Sequence, residues 1–264
     1  MDLSWIHFTI LIISGLFVGF INTLAGGGTI ISLSIFMLFG LPPNVANGTN
    51  RIAVLLQNTT AVANFSRKKL IDWNKSWKLS IPTIIGAVLG AILANWIPND
   101  SFNHIFGAVI ALFALMLLLK PDRWLQEKED LLNRPLKFWH YILFFFMGIY
   151  GGLIHIGIGY MILAGLVLGT GNELGKANAM KNFLVLAYIP FSLIVFAIQG
   201  NVHWTYGLIH AIGNIIGAQV GAMMAIKRGA TFIRYIMLLL IIVVVLQLFG
   251  VIDPTAVSEW LQKG

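Results

Sequence analysis

The chain has 264 residues, 58% of them hydrophobic and 10% charged, with a mean hydropathy of +0.85 and a formal net charge of +7. Soluble domains average roughly 45–50% apolar residues, so the composition excludes a soluble globular fold and points to a multi-pass protein embedded in a lipid bilayer. The absence of cysteine excludes disulfides, thiolate metal sites and persulfide relays, and the positive charge sits in loop clusters that read as topology signals rather than nucleic-acid or lipid-headgroup recognition.

In chain order, the N-terminus Met1-Asp2-Leu3-Ser4-Trp5 lacks a basic leader, so no cleaved signal peptide is expected. The apolar run 5–39 is too long for one span of about 20 residues and too short for two. Gly26-Gly27-Gly28 interrupts it, and consecutive glycines propagate a helix poorly. The run is therefore predicted to be a broken half-helix hairpin. Helices are expected at 50–66, 78–97 and 101–119, completing a first repeat over 1–119. A linker follows at 120–137. The run 138–170, interrupted by Gly151-Gly152, Gly157 and Gly159, is predicted to be a second broken hairpin. Helices at 180–198, 205–226 and 232–250 complete a second repeat over 138–250, followed by a tail at 251–264.

The two halves are diverged copies. A shift of 131 aligns residues 46–94 with 177–225 without a gap and gives 14 identities in 49 positions, among them Phe65 with Phe196 and Trp73 with Trp204. Upstream, a shift of 129 aligns Gly19 with Gly148 and Gly28 with Gly157. Equivalent loops differ in charge. The loop 67–78 carries five Lys/Arg and its counterpart 199–204 carries none. By the positive-inside rule 67–78, 120–137 and 171–179 are cytoplasmic, and both termini are external. The expected fold is an all-α membrane protein of two inverted repeats, an arrangement typical of secondary transporters, in a bacterial inner membrane.

No Asp or Glu lies in the middle of an apolar run, whereas proton pumps and cation exchangers need buried carboxylates. Arg51 and Lys181 stand in Ala46-Asn-Gly-Thr-Asn-Arg51 and Ala177-Asn-Ala-Met-Lys-Asn182. They are expected in the first turns of the helices at 50–66 and 180–198. A bound anion would offset a cation placed there against the macrodipole; the alternative is a pair of interfacial anchors. A chain that breaks at Gly26, Gly27 and Gly28 and restarts at Thr29 presents free N–H groups to an anion. Gly157 and Gly159 supply the counterpart. Asn22, Asn47, Thr49, Asn50 and Asn178 are candidate further donors, and His155 either touches substrate or makes a structural hydrogen bond. Asn58, Asn64, Asn214 and Gln219 are expected to bond across helices. The ladders Gly86-x3-Gly90 and Gly213-x3-Gly217-x3-Gly221 are expected to pack on one another or on a second protomer. No metal site, cofactor or catalytic constellation is visible.

The glycine break at Gly26–Gly28, the Leu38-Phe39-Gly40 ending and the Ala46-Asn47-Gly48-Thr49-Asn50 segment resemble the sulfite exporter TauE/SafE family, over about residues 15–250. The resemblance implies a secondary transporter of small sulfur oxyanions or organosulfonates, usually outward, and is compatible with a homodimer. In the second half His155-Ile-Gly157-Ile-Gly159 replaces the triple glycine. The expected function is alternating-access export of sulfite or an organosulfonate. An anion channel or importer, and a membrane scaffold subunit, are the competing readings.

Overall fold

A computed structural model describes residues 5–94, 129–132 and 134–248, with side chains described as far as residue 239. The expected helix at 101–119, most of the linker and the tail 251–264 lie outside the described residues. Within them the secondary structure is entirely helical. Helix α1 (Trp5–Leu24) is followed by α2 (Thr29–Leu38), α3 (Pro43–Arg67) and α4 (Trp73–Leu93). After a short turn at Glu129–Leu132 come α5 (Phe138–Leu153), α6 (Ile158–Ala164, continued by a π turn at Gly165–Gly169), α7 (Leu174–Ile198) and α8 (Trp204–Leu248). Four of these, α1, α4, α7 and α8, are long and apolar enough to cross a membrane.

Local chemistry sets the boundaries. Pro43 starts α3 at the position where a fixed φ and a missing N–H are tolerated, and the Asp72 carboxylate caps α4 by accepting from the Lys75 N–H at 3.0 Å. α3 and α7 end alike. Leu70 N–H reaches Phe65 O around a left-handed Lys69, and Asn201 N–H reaches Phe196 O around a left-handed Gly200. The shift of 131 carries both ends of α3 onto those of α7, and Trp73 onto Trp204. The element boundaries therefore repeat along with the sequence.

Several boundaries differ from the sequence expectation. α3 begins at Pro43 and α7 at Leu174, not near 50 and 180. The polar stretch Asn47-Gly48-Thr49-Asn50 lies inside the helix as a buried face, so the onset of apolar residues was a poor guide to the helix start. The arms of the first hairpin are unequal. α1 has 20 residues and α2 has 10, so by length α1 is a full span rather than a half-helix. The spans expected at 205–226 and 232–250 form one run broken at Gly229, where φ is 69° and ψ is −164°.

The glycine ladders do not pack on each other. A Cβ added to Gly86 or Gly90 would meet the carbonyls of Phe145 or Ile149 in α5, and one added to Gly213 or Gly217 those of Ile12 or Leu16 in α1. The partner helices answer in kind, with Gly148 and Gly152 against Thr83 and Ala87, and Gly15 and Gly19 against His210 and Asn214. Thus α1 lies parallel to α8, α5 lies parallel to α4, and each half lends its first helix to the other. α3 and α7 cross antiparallel at the centre, with Gly48 against Phe196 and Asn201.

The loops gather at two ends. At one, Asn44 Nδ2 donates to Asn201 Oδ1 at 3.0 Å, and His7 packs edge-on against Phe39. At the other, Lys75 Nζ donates to Leu132 O at 2.7 Å, and His140 Nε2 lies 3.0 Å from Gly169 O. Residues 39–44 and 199–203 contain no Lys or Arg, while Arg67, Lys68, Lys69, Lys75, Lys78, Arg134 and Lys137 gather at the opposite end.

Candidate functional site

The two helix breaks meet in the middle of the bundle. Gly26 takes a φ of 91°, and its Cα faces that of Gly159 so closely that a Cβ on either residue would overlap the other's backbone. Gly27 lies against the Tyr160 ring. The Gly28 N–H, expected to be free, donates to Asn22 Oδ1 at 2.7 Å, so the chain caps this break with its own side chain. The other break turns through His155 at φ 63° and Gly157 at φ 70°. Its His155 Nδ1 lies 2.8 Å from the Tyr188 hydroxyl. A non-glycine residue with positive φ costs of order 1 kcal/mol or more unless its surroundings hold it, and this hydrogen bond does so.

Arg51 and Lys181 bracket the crossing. Arg51 sits about 12 Å and Lys181 about 10.5 Å along its own helix at 1.5 Å per residue, rather than in a first turn, and both are fully buried. That burial is incompatible with an anchor snorkelling to headgroups. Arg51 donates from Nη1 to Gly151 O at 2.6 Å, and from Nη2 to Gly152 O at 2.9 Å and Asn47 Oδ1 at 3.1 Å. Its guanidinium also lies 5.2 Å from the centre of the Phe196 ring. Lys181 Nζ donates to Asn22 O at 2.8 Å and Thr23 O at 3.1 Å. Each cation therefore caps the carbonyl end of the other half's broken helix, where the macrodipole is negative. Under the shift of 131, Arg51 is equivalent to Asn182 and Lys181 to Asn50. The same arrangement is built from neighbouring positions.

No Asp or Glu is among the buried polar side chains of the described residues. The helix carbonyls and amides around Arg51 and Lys181 carry no formal negative charge. Several polar atoms close to them make no hydrogen bond to any described residue. Both side-chain polar atoms of the fully buried Asn50 and Asn178 are in this state, together with Asn22 Nδ2, Thr29 Oγ1 and Gln57 Oε1. Buried amides are rarely left unpaired. A cavity of about 10 Å³ between the breaks is lined by Asn22, Gly26, His155, Gly159 and Lys181, and also by Gln57, Asn58, Ile158 and Val185. It has room for about one water.

The remaining expected residues are placed differently. Asn47 Nδ2 donates to Leu153 O at 2.7 Å, joining the Arg51 cap. Thr49 Oγ1 accepts from the His203 N–H at 2.8 Å, which ties α3 to the loop before α8. Gly157 serves as the left-handed start of α6. Asn64 and Gln219 bond across helices at 2.6 Å, whereas Asn58 and Asn214 each donate to a carbonyl four residues earlier in their own helix. Gln57, Tyr188 and Asn182 were not singled out from sequence. Asn182 could have been found, because it is the repeat partner of Arg51 and donates to Thr23 O at 3.1 Å.

The sequence model of the family described as Sulfite exporter TauE/SafE matches residues 11–248. A "Probable membrane transporter protein ORF9" of Sinorhizobium is 29% identical over 254 residues, covering 96% of each chain. A "Probable membrane transporter protein" of Haemophilus influenzae is 28% identical, covering 89% of this chain and 91% of its own length. The "Probable membrane transporter protein YfcA" of Escherichia coli is 26% identical, covering 82% of this chain and 80% of its own. No solved structure matches the chain.

Proposed function

This chain belongs to the sulfite exporter TauE/SafE family of membrane transporters, and on that premise we propose that it carries a small anion, sulfite or an organosulfonate, outward across the inner membrane by alternating access. The observation that carries this reading is the pair Arg51 and Lys181, fully buried without a carboxylate among the described residues. A buried charge without a counter-charge costs several kcal/mol. Helix-end carbonyls offset part of that cost, and a small anion would supply the rest. Asn50 and Asn178, with Asn22, Thr29 and Gln57, would then direct their unpartnered polar atoms to its oxygens or to waters it brings.

The two halves insert with opposite orientation in this proposal. The swapped pairings of α1 with α8 and α5 with α4 support it, as does the concentration of Lys and Arg at the bundle end that the positive-inside rule assigns to the cytoplasm. Both termini are then external, and the glycine crossing lies near the midplane. The space at the crossing suits about one water, so an oxyanion enters only if the halves move apart. Tight glycine contacts with few side-chain bonds suit such rocking. This favours a carrier over an open pore. His155, hydrogen-bonded to Tyr188, and the protonation of sulfite itself are the available routes to proton coupling.

Purified protein in liposomes tests the proposal. Saturable flux of labelled sulfite or a sulfonate, accelerated by the same anion on the far side, is expected. Current that rises without saturation would identify a channel. No flux of any tested anion would leave a scaffold role.

A further inference from the structure

A second cavity lies away from the glycine crossing, at the lysine-rich end of the bundle. It encloses about 80 Å³ and is formed by the start of α4, Leu131 and residues 134–137, the start of α5 and the end of the π turn at Gly165–Gly169. Three cations line it, Lys75, Arg134 and Lys137, and none of them forms an ion pair with a described residue. Its other polar groups are already committed. His140 contacts Lys137 through Nδ1 and Gly169 O through Nε2, and the Thr170 hydroxyl donates to Leu166 O. Lys75 spends one N–H on Leu132 O, which leaves two more. Topology requires cations in this loop but not their convergence in one cleft, where mutual repulsion opposes folding.

The surroundings define the depth. Phe138 and Trp139 are exposed beside the cleft, Trp73 and Trp77 are exposed on the first turns of α4 at the same end of the bundle, and Trp139, which also lines the cleft, stacks on His140 with ring centres 3.7 Å apart. Exposed indole rings mark the boundary between acyl chains and headgroups. Three cations in a cleft at that depth, none of them ion-paired with a described residue, match a phosphate diester. We propose that Lys75, Arg134 and Lys137 form a binding site for a phosphate-bearing anion, the headgroup of an anionic phospholipid, which ties the segment between the two halves to α4. The site is separate from the transport path, so its test does not depend on transport.

The test uses the full-length protein purified in detergent, with thermal unfolding followed as lipid is added. Phosphatidylglycerol is expected to raise the unfolding midpoint while phosphatidylcholine leaves it unchanged. Lys75→Gln, Arg134→Gln and Lys137→Gln should each weaken the half-saturating concentration about fivefold, and the triple variant on the order of a hundredfold. Arg134 and Lys137 are exposed, so their single variants keep the test interpretable if the triple variant folds poorly. Protection by inorganic phosphate but not by phosphatidylglycerol would keep the site and assign it to a soluble phosphate. Protection by neither would overturn it. So would an equal loss of response in a Lys68→Gln, Lys69→Gln variant, whose exposed cations do not line the cleft.

Discussion

Arg51 and Asn178 carry opposite expectations for stability, although both are placed in the proposed anion site. Arg51 satisfies the carbonyls of Gly151 and Gly152. Arg51→Gln should therefore lower stability by about 1.5–3 kcal/mol, the range for hydrogen bonds to charged groups, and should also weaken substrate binding. Asn178 is fully buried with no hydrogen-bond partner for either side-chain polar atom among the described residues. Leucine keeps the branching and heavy-atom count of asparagine and has no polar group to leave unpaired. Asn178→Leu should raise stability by about 1–3 kcal/mol while abolishing transport. Unfolding midpoints measured beside liposome flux separate the two effects. An Asn178→Leu protein that unfolds earlier and still transports would place this amide in structural support. Gly26 is constrained twice, by φ and by contact with Gly159, so even alanine there should uncouple the two breaks.

At the scale of elements, the parallel pairs α1–α8 and α4–α5 rest on backbone-to-backbone contact. Gly90→Leu would drive a side chain into the Ile149 carbonyl, and Gly217→Leu into that of Leu16. Because the carbonyl belongs to a packed helix, neither can yield, and overpacking of this kind costs roughly 1–3 kcal/mol or more. Both variants should lose folded protein to a similar degree, since each drives its side chain against a backbone carbonyl in one of two repeat-equivalent helix pairs. Gly40→Ala should be milder. Nothing lies within 4 Å of its Cβ position, and only its φ of 84° opposes the change, at about 1 kcal/mol. Monodispersity after purification is the measurement. A well-folded Gly90→Leu protein beside a lost Gly217→Leu protein would show that the two interfaces are not equivalent.

For the whole molecule, the decisive question is which end of the bundle faces the cytoplasm. The chain lacks cysteine, so single cysteines can be introduced on a clean background. Asn44 and Lys68 are both exposed at opposite ends of α3. Asn44→Cys should react with an impermeant thiol reagent added to intact cells, and Lys68→Cys only after the membrane is opened. The reverse pattern would turn the protein over, and with it the proposed cytoplasmic face.

Composition and periodicity by themselves determined the solvent, because a bilayer demands long apolar helices whose backbone is satisfied internally. The duplication was also legible, since Trp73 with Trp204 and the glycine ladders persist in one register. So were the helix breaks at Gly26–Gly28 and before Gly157, because glycine propagates a helix poorly. The helix starts at Pro43 and Leu174 were hidden, because inside a membrane bundle a polar stretch can be a buried helix face and the apolar onset no longer marks the end. Tertiary structure alone decided what the cations touch. Arg51 and Lys181 lie 100 and 159 residues from the carbonyls they cap, and no local pattern encodes a partner at that distance. The same holds for the Gly28 N–H, which the sequence leaves open and the fold assigns to Asn22. It holds again for the glycine ladders, whose pairing with the other half's first helix is set by how the two copies interlock.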